Sequence, residues 1–506
     1  MSPVCVIDCG TSAVRAFIAE VSGESTRVLE DISRPVDLAG ALLTGRLRRE
    51  AMDSVEAAIA GIVAAAHAYG VERFRAVATS LREVLNADVL IERLRTQTGI
   101  DLEVIASPEE ARLYFEAVRM LSRRCGFDLA GDSLLIEIGG GGSCLSLVRD
   151  GKMVHAVEEH YGTHRLHEQF RGMRDSMDYA VSIDRLAQGA VRAVLGRLPV
   201  AKVDRLIVTG GVVRRLFTLI IGQEPAADEI QVLEARLVAG WYERMQPLTP
   251  AQRAERCGLD TDRASMLLPA AALIRHLCER TGASSIRVPP ITLRDGLMAD
   301  LLPGAEGPHH LDSSHLLAEA RQLVARYHGD LAYAEHTAAL CCQLFDQTKE
   351  LHGLGHRERI LLEFSALVHD IGAYINVRNR HKHTMYLIES SDLAGLTSEE
   401  QDVVAQVARY HRKSVPEPHH TGFTVLPRRL RVVISTLAAL LRIAYALDVE
   451  RCQRIRTLRC EVRGRDLLIH VDRRQVALER WAVAGKSDLF SDVFGLDVRV
   501  VPREER

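Results

Sequence analysis

Two short segments constrain this chain more than anything else in it: Asp8 to Ser12 (DCGTS) and Glu137 to Ser143 (EIGGGGS). Each is entered from an apolar run and left into another. Each therefore reads as a strand–turn–strand with a carboxylate at the strand end and glycine in the turn. Without a Cβ in the way, backbone N–H groups of such a turn can converge on one anion. A single turn of this sort means little. Two of them, one per half of a duplicated domain, can grip neighbouring phosphates from opposite sides. Thr209-Gly210-Gly211 adds a third glycine turn. Phosphate handling is the leading expectation.

The 506 residues exceed what one hydrophobic core usually serves, so three or four domains are expected. With 47% apolar and 26% charged residues the chain is an ordinary folded one, not a disordered one. A net charge of −3 gives no bulk electrostatic mark of a nucleic-acid or membrane binder, and neither is expected as a partner. No apolar run is expected to reach the roughly 18 to 20 residues that cross a bilayer. The most apolar long candidate, Leu430 to Val449, carries Arg431 and Arg442 and reads as a buried core helix. The N-terminus opens into a strand, Val4 to Ile7, without a basic-then-apolar leader. Ten cysteines with no C-x-x-C pair point to reduced thiols and a cytoplasmic location, with Cys341-Cys342 read as core.

Along the chain, Val4–Ile7, Ala16–Val21 and Arg27–Ile32 read as strands, Met52–Tyr69 as a helix, and Phe74–Ala78 and Leu102–Ile105 as short buried strands. The theme repeats with Ser133–Ile138, Ser143–Val148, Lys152–Glu158 and Val203–Val208. Alternation of this kind argues for an α/β architecture in two similar lobes with a ligand cleft between them. Pro303 to Pro308 (PGAEGP) reads as a linker. Beyond it come long helical periodicities: Ser313–Tyr327, Tyr333–Leu351, Arg357–Asp370, Thr397–His411 and Leu430–Val449. Strand alternation returns at Thr457–Val471 and Leu496–Val501. The expected divisions are 1–125, 126–303, 309–452 and 453–506.

Several segments, in order and spacing, resemble the exopolyphosphatase and guanosine pentaphosphate phosphohydrolase (Ppx/GppA) family. They are VIDCGTSAVRAFIAEV, AVATSLREVLNADVLIERLRTQTGIDLEVIASPEEARLYFEAV, LLIEIGGGGSCLSLV, VTGGVVRRL and IRVPPITLRDGLMADLL, then LVHDIGAYIN, RHKHTMYLIESSDLAGLTSEEQ and ARYHRK. The resemblance implies a duplicated actin/sugar-kinase-like (ribonuclease H-like) domain, an all-α HD-like domain and a small α/β tail. It implies removal of terminal phosphates from an anhydride chain with Mg²⁺ or another divalent cation. It also suggests a homodimer.

Carried over residue by residue, the resemblance makes Glu110 the group that aligns the attacking water and Arg82 a phosphate contact. On the residues alone, Ser107-Pro108-Glu109-Glu110 reads as a helix start, with Ser107 as N-cap and Glu110 completing a capping box. Arg82 alone could equally be a solvated helix-start arginine, although a guanidinium fork suits phosphate oxygens. Asp8 is either an Asx-turn residue or, with Glu137, a Mg²⁺ ligand. Gly10, Thr11 and Ser12 of the first turn, Gly139, Gly140, Gly141, Gly142 and Ser143 of the second, and Gly210-Gly211 at a helix start would hold phosphate. The second turn departs from the family's Asp-x-Gly-Gly-Gly-Ser-Thr-Glu. Its first carboxylate is Glu137, one methylene longer, and Cys144 stands at its last position. In the first turn Ala13 replaces a serine. Phosphate binding is thus a safer expectation than fast turnover.

Further on, His336, His369-Asp370 and Asp448 follow the order of an HD-type metal phosphohydrolase and could bind one divalent ion, with His383 and His411 as extra candidate ligands for a second. Ordinary helix-end histidines are the alternative. Arg378, Arg380, Lys382, Arg412 and Lys413 form a late basic cluster, read either as a solvated face or as a track for a polyanion.

The leading reading is an exopolyphosphatase that releases orthophosphate processively from inorganic polyphosphate. Guanosine pentaphosphate is the other substrate within the family. A polyphosphate- or alarmone-binding protein with a weakened site is a different class of answer, favoured by Cys144 and Ala13. A third reading puts the chemistry in the HD-like domain, acting on a nucleotide or phosphoester.

Overall fold

The computed structural model describes residues 2–22, 25–82, 84–159, 161–173, 178–196, 198, 203–302, 313–391, 393, 395–472 and 475–502. They belong to two compact units, Met1–Pro308 and His309–Arg506. The segment Pro303–Pro308, read as a linker, lies outside the described residues.

The first unit holds two sheets built to one plan. In the first, β1 (Ser2–Cys9), β2 (Ala13–Ser22) and β3 (Ser25–Pro35) form an antiparallel meander. Strands β4 (Arg73–Ala78) and β5 (Leu102–Val104) extend it in parallel from β1, giving the order β3-β2-β1-β4-β5. In the second, β6 (Asp132–Ile138), β7 (Ser143–Arg149) and β8 (Lys152–Glu159) form the meander. Strand β9 (Arg205–Thr209) lies parallel to β6, and β10 (Gln231–Glu234) and β11 (Ser285–Val288) complete the order β10-β11-β9-β6-β7-β8. Strands β6 and β7 are buried almost throughout, their polar residues Ser133, Glu137, Ser143 and Ser146 included.

The helices that position the site in this unit are α1 (Arg49–Ala68), α2 (Ser107–Cys125), α3 (Thr163–Gln169), α4 (Gly211–Ile221), α5 (Thr261–Thr281) and α6 (Leu293–Ala299). Helix α1 covers one face of the first sheet through Val55, Ile59 and Ile62. The other face is covered by Leu113 of α2 and Leu293 and Leu297 of α6, against Val4, Val6 and Val77. Thus α6, which follows the second sheet in sequence, returns to pack on the first. The α2–α6 crossing is backbone to backbone: a Cβ on Gly296 would fall 2.1 Å from the Leu113 carbonyl oxygen.

In the second unit, α7 (Leu331–Gln347), α8 (His356–Val368), α9 (Arg380–Glu389), α10 (Ser398–Arg409) and α11 (Arg428–Leu447) pack with a small sheet, β12-β13-β14 (Leu458–Arg463, Asp466–Val471, Asp497–Pro502). One core serves both: Ile434 and Leu441 of α11 join Ile469, Phe490 and Val500 of the tail. Arg442, 1% exposed, joins helix to tail. Its Nη1 donates to the Tyr410 carbonyl at 3.1 Å and its Nη2 to Asp488 at 2.6 Å. The helix expected as Tyr333–Leu351 ends at Gln347, and a separate turn, Lys349–His352, follows.

Helices α1 and α11 are both long and apolar enough to cross a bilayer, which corrects the expectation that no run reaches that length. Their apolar faces are spent inside the fold, and both are core helices here. All ten cysteines are free thiols.

A buried ion network fixes the start of α2. Arg75 of β4 reaches Glu109 at 3.2 Å and Asp300 at 2.9 Å, while Arg112 reaches Glu109 at 2.8 Å and Asp300 at 2.5 Å. Each of these four side chains is less than a tenth exposed. Removing one partner of such a set strands the others, so Asp300→Ala should cost about 3–5 kcal/mol. Urea denaturation measures it; a loss below about 1 kcal/mol would show that the network carries no net stability.

Candidate active site

The two glycine turns are copies of one another in geometry. In the first, Gly10 N–H donates to the Ala13 carbonyl at 3.1 Å; in the second, Gly139 N–H donates to the Gly142 carbonyl at 3.0 Å. The strand registers also correspond. Asp8 lies opposite Arg15 across β1–β2, and Glu137 lies opposite Cys144 across β6–β7. In both turns the carbonyls are drawn back into the protein. Val36 and Leu38 N–H groups take those of Ser12 and Thr11; Thr163 and His164 N–H groups take those of Gly139 and Gly140.

The third turn is set by steric necessity. Gly210 has φ +126, and a Cβ there would sit 2.4 Å from the Ile138 carbonyl oxygen. It is the N-cap of α4, whose first residue is Gly211, so the helix start faces the second turn.

These turns line one cleft of about 1410 Å³. Asp8, Arg82, Glu110 and Glu137 line it too, with Gly10, Thr11, Ser12, Gly139 to Ser143, Gly210 and Gly211. The sequence-derived site residues of this unit are therefore brought together. Three carboxylates around one cleft repel each other. Burial holds the Glu137 carboxyl well above the usual range, and Glu110 and Asp8 push it further; a Tyr114 hydrogen bond and Arg82 oppose them. Burial also raises Asp8, against Arg15 and Arg294.

Glu110 is positioned by Arg82. The guanidinium Nε donates to the Ile105 carbonyl at 2.6 Å, Nη1 donates to Ser107 Oγ at 2.7 Å, and Nη2 pairs with Glu110. This overturns the capping-box reading. The N-cap of α2 is Ala106, with no side-chain cap, and Ser107 and Glu110 serve Arg82 instead. The adjacent glutamates part company because successive helix residues point about 100° apart: Glu109 enters the ion network and Glu110 lines the cleft. Ser143 is also corrected. Its hydroxyl donates to the Tyr161 carbonyl at 2.9 Å, so its proton is directed into the protein and not at a phosphate.

Sequence reasoning missed several lining residues. Tyr114 lies one helical turn beyond Glu110, a spacing that could have singled it out. Arg15 follows from the hairpin register, and Arg214 and Arg215 lie one turn into α4. Arg294 pairs with Asp31, donates to the Ala16 carbonyl at 3.2 Å and stacks on Phe17 at 3.7 Å, which locks α6 to the first sheet.

The chain's relatives correspond to this architecture. A family model described as the Ppx/GppA phosphatase family matches residues 17–305, and one described as Ppx/GppA phosphatase, domain III, matches residues 318–483. The chain belongs to the Ppx/GppA phosphatase family. Among its relatives, a guanosine-5'-triphosphate,3'-diphosphate pyrophosphatase of Photobacterium profundum is 24% identical over 442 residues, 84% of each chain. Another, from Vibrio campbellii, is 25% identical over 461 residues, 88% of each chain. A solved exopolyphosphatase from Cytophaga hutchinsonii has a TM-score of 0.55 at 22% identity, covering 60% of this chain and 99% of its own. The Aquifex aeolicus member of the Ppx/GppA family gives 0.52 at 21%, covering 59% and 96%. The fold is the duplicated actin-like one of this family, with a helical C-terminal region.

The domain III match crosses the division expected at 452/453, as does the shared core of the second unit. In that Ppx/GppA domain, His369, Asp370 and His411 place ligand atoms within 4.8 Å of one another. His336 and Asp448 make a separate contact at 3.7 Å, so the expected set of four is divided, with His411 joining the dyad. His383 is outside that three-residue group.

Arg380 is a correction. It is 9% exposed, lies 2.5 Å from Asp370 and donates to the Tyr445 hydroxyl at 3.2 Å, so it is part of the interior and not of a polyanion track. Arg378, Lys382 and Lys413 are exposed, and Arg412 is half-buried. Lys413, Lys382 and Arg412 surround His381, whose imidazole is pushed down to about 4 by burial and then by these cations.

In the Mg²⁺ question, the donor set is the test. Asp8 and Glu137 are desolvated hard-oxygen donors whose repulsion a divalent cation would relieve. Among the described residues they gather no third ligand into a closed group. That suits Mg²⁺, which keeps several waters and takes one or two carboxylates together with substrate phosphates.

Glu137 also carries a stability cost with a definite sign. Unfolded, it ionises near 4.5; folded, it keeps its proton to higher pH. Stability therefore falls as pH rises through that window and stays lower above it. Glu137→Gln should be more stable than the parent at pH 8 without divalent ions, by roughly 0.5–2 kcal/mol. The gap should close by pH 4. Equal stability at both pH values in urea titrations would mean that Glu137 ionises as an ordinary carboxylate.

Proposed function

We propose that this Ppx/GppA phosphatase is an exopolyphosphatase that works in the cleft of its first unit. As a class the enzyme is a phosphoanhydride hydrolase. Glu110, aimed by Arg82, orients a water toward the terminal phosphorus. A water oxygen–phosphorus bond forms, the terminal P–O–P bond breaks, and orthophosphate leaves a chain one unit shorter. The glycine turns hold the transferred and neighbouring phosphates through backbone N–H groups. Asp8 and Glu137 would hold Mg²⁺, which when bound neutralises charge on the phosphate oxygens. The other residues act by position: Tyr114 hydrogen-bonds Glu137, and Arg214 and Arg215 add positive charge beside the third turn.

The observation that carries this reading is one cleft holding three facing carboxylates and three anion-cradling turns. Its lining also speaks to substrate. Among the described residues Tyr114 is its one tyrosine, phenylalanine or tryptophan, and that hydroxyl is committed to Glu137. A guanine base would find only the Tyr114 ring and the His164 and His167 imidazoles to stack on, whereas a bare polyphosphate needs no such platform. Guanosine pentaphosphate is the second reading, favoured by the pyrophosphatase names of the bacterial relatives.

The deciding measurement is phosphate release from long polyphosphate and from guanosine pentaphosphate, side by side, with Mg²⁺. Polyphosphate should be cleaved faster, and Glu110→Gln should lower kcat by about 10²–10⁴. Binding without release would make the protein a receptor. Loss of activity in His369→Ala but not in Glu110→Gln would move the chemistry to the second unit.

The exposed Lys382, Lys413 and Arg378 of the second unit are proposed to attract a polyanionic substrate electrostatically. Raising NaCl from 50 to 300 mM should then raise KM for long chains several-fold more than for short ones. Lys382→Glu with Lys413→Glu should remove most of that difference at unchanged kcat. An identical salt response for both lengths would refute it. Pairing of two chains belongs to this proposal as well, with sedimentation as its measurement.

A further inference from the structure

We propose that the second unit binds one divalent transition-metal ion through His369, Asp370 and His411, at a site separate from the phosphate cleft. The two histidines sit alike, each just past the end of a helix, α8 or α10, and each is fully buried. They are also held alike. His369 Nδ1 lies 2.7 Å from the Ala366 carbonyl, and His411 Nδ1 lies 2.6 Å from the Ala408 carbonyl, three residues back in both cases. A carbonyl only accepts, so Nδ1 carries the proton in both rings and Nε2 keeps its lone pair. Backbone carbonyls that fix the tautomer in this way are the usual outer shell of a metal-bound imidazole.

Both Nε2 atoms are buried without a hydrogen-bond partner. The ring centroids are 5.0 Å apart at 76°, and with Asp370 the ligand atoms lie within 4.8 Å of one another. Two buried lone pairs converging beside a carboxylate, with no protein donor between them, are an arrangement that a cation completes. Two imidazoles and one carboxylate select Zn²⁺, Mn²⁺, Fe²⁺, Co²⁺ or Ni²⁺ over Mg²⁺. Burial also depresses both imidazoles, which keeps them neutral and able to ligate.

Two arginines compete for the carboxylate. Arg451 Nη2 donates to Asp370 Oδ2 at 2.6 Å, and Arg380 Nε lies 2.5 Å from Oδ1 without hydrogen-bond alignment. A guanidinium standing in for the metal would donate to the imidazole nitrogens, and neither arginine does. They compensate Asp370 and leave the histidines unmet. Tyr445 packs edge-on against both rings, at 6.0 and 5.2 Å, and closes the wall.

The test titrates the EDTA-dialysed full chain with Co²⁺, read by calorimetry and by visible absorption. It is run in a Glu137→Gln background to weaken metal binding in the cleft. One saturable equivalent with a nitrogen-ligated Co²⁺ spectrum is expected, displaced by Zn²⁺. His369→Gln and His411→Gln should each weaken it at least about tenfold, with far-UV circular dichroism unchanged. No saturable binding, or an affinity in either histidine variant unchanged from that of the parent, overturns the proposal. Should a variant fail to fold, the spectrum of the Glu137→Gln chain decides: a band from oxygen ligands alone also overturns it.

Discussion

Everything in the first unit turns on holding Asp8, Glu110 and Glu137 around one cleft against their mutual repulsion. Three carboxylates facing a partly dehydrated space are unstable unless each is compensated. Two of them are. Arg15 faces Asp8 across the hairpin, and Arg82 takes Glu110. Glu137 faces Cys144 and is left with a tyrosine hydroxyl, so burial keeps its proton on to unusually high pH. The imbalance suits the proposed Mg²⁺ site: a divalent cation bound there would relieve it, linking metal, phosphate and the third carboxylate in one equilibrium.

That arrangement needs a rigid frame, and α2 supplies it. One end of the helix carries two consecutive glutamates with opposite tasks, Glu109 to the buried arginines and Glu110 to the cleft. Because Glu109 is fixed by Arg75 and Arg112, the direction of Glu110 is fixed with it. Gly296 lets α6 approach α2 at backbone distance, and Asp300, one residue past α6, closes the same network. Positioning of the proposed catalytic carboxylate thus rests on packing and ion pairs away from the cleft.

The duplicated turns were legible in the sequence because glycine next to a strand-end carboxylate has few structural uses, and two copies at equal spacing have fewer. Their identity in hydrogen bonding, Gly10 to Ala13 and Gly139 to Gly142, follows from that spacing. The strands and long helices were legible from period, with ends displaced by up to about four residues. What escaped depended on partners distant in sequence. Ser107 reads locally as a cap, but Arg82, 25 residues earlier, claims it. Arg380 reads as one of a run of cations until Asp370 draws it inside. Tyr114 and Arg15 were within reach of helix and hairpin periodicity. Arg294 was not, since its partner Asp31 is 263 residues away.

The two units treat buried polarity in opposite ways, and the contrast bears on what each does. In the first, ionisable groups line a cleft of about 1410 Å³, where water and ligand can reach the reacting atoms. In the second, His369 and His411 are wholly enclosed, with tautomers set by helix-end carbonyls and no donor for their free nitrogens. An open set of compensated charges can change protonation and ligands during a turnover. A closed set of neutral imidazoles cannot exchange readily; it can bind one partner and keep it. Turnover is accordingly proposed at the carboxylates and the glycine turns, and a resident ion at the histidines.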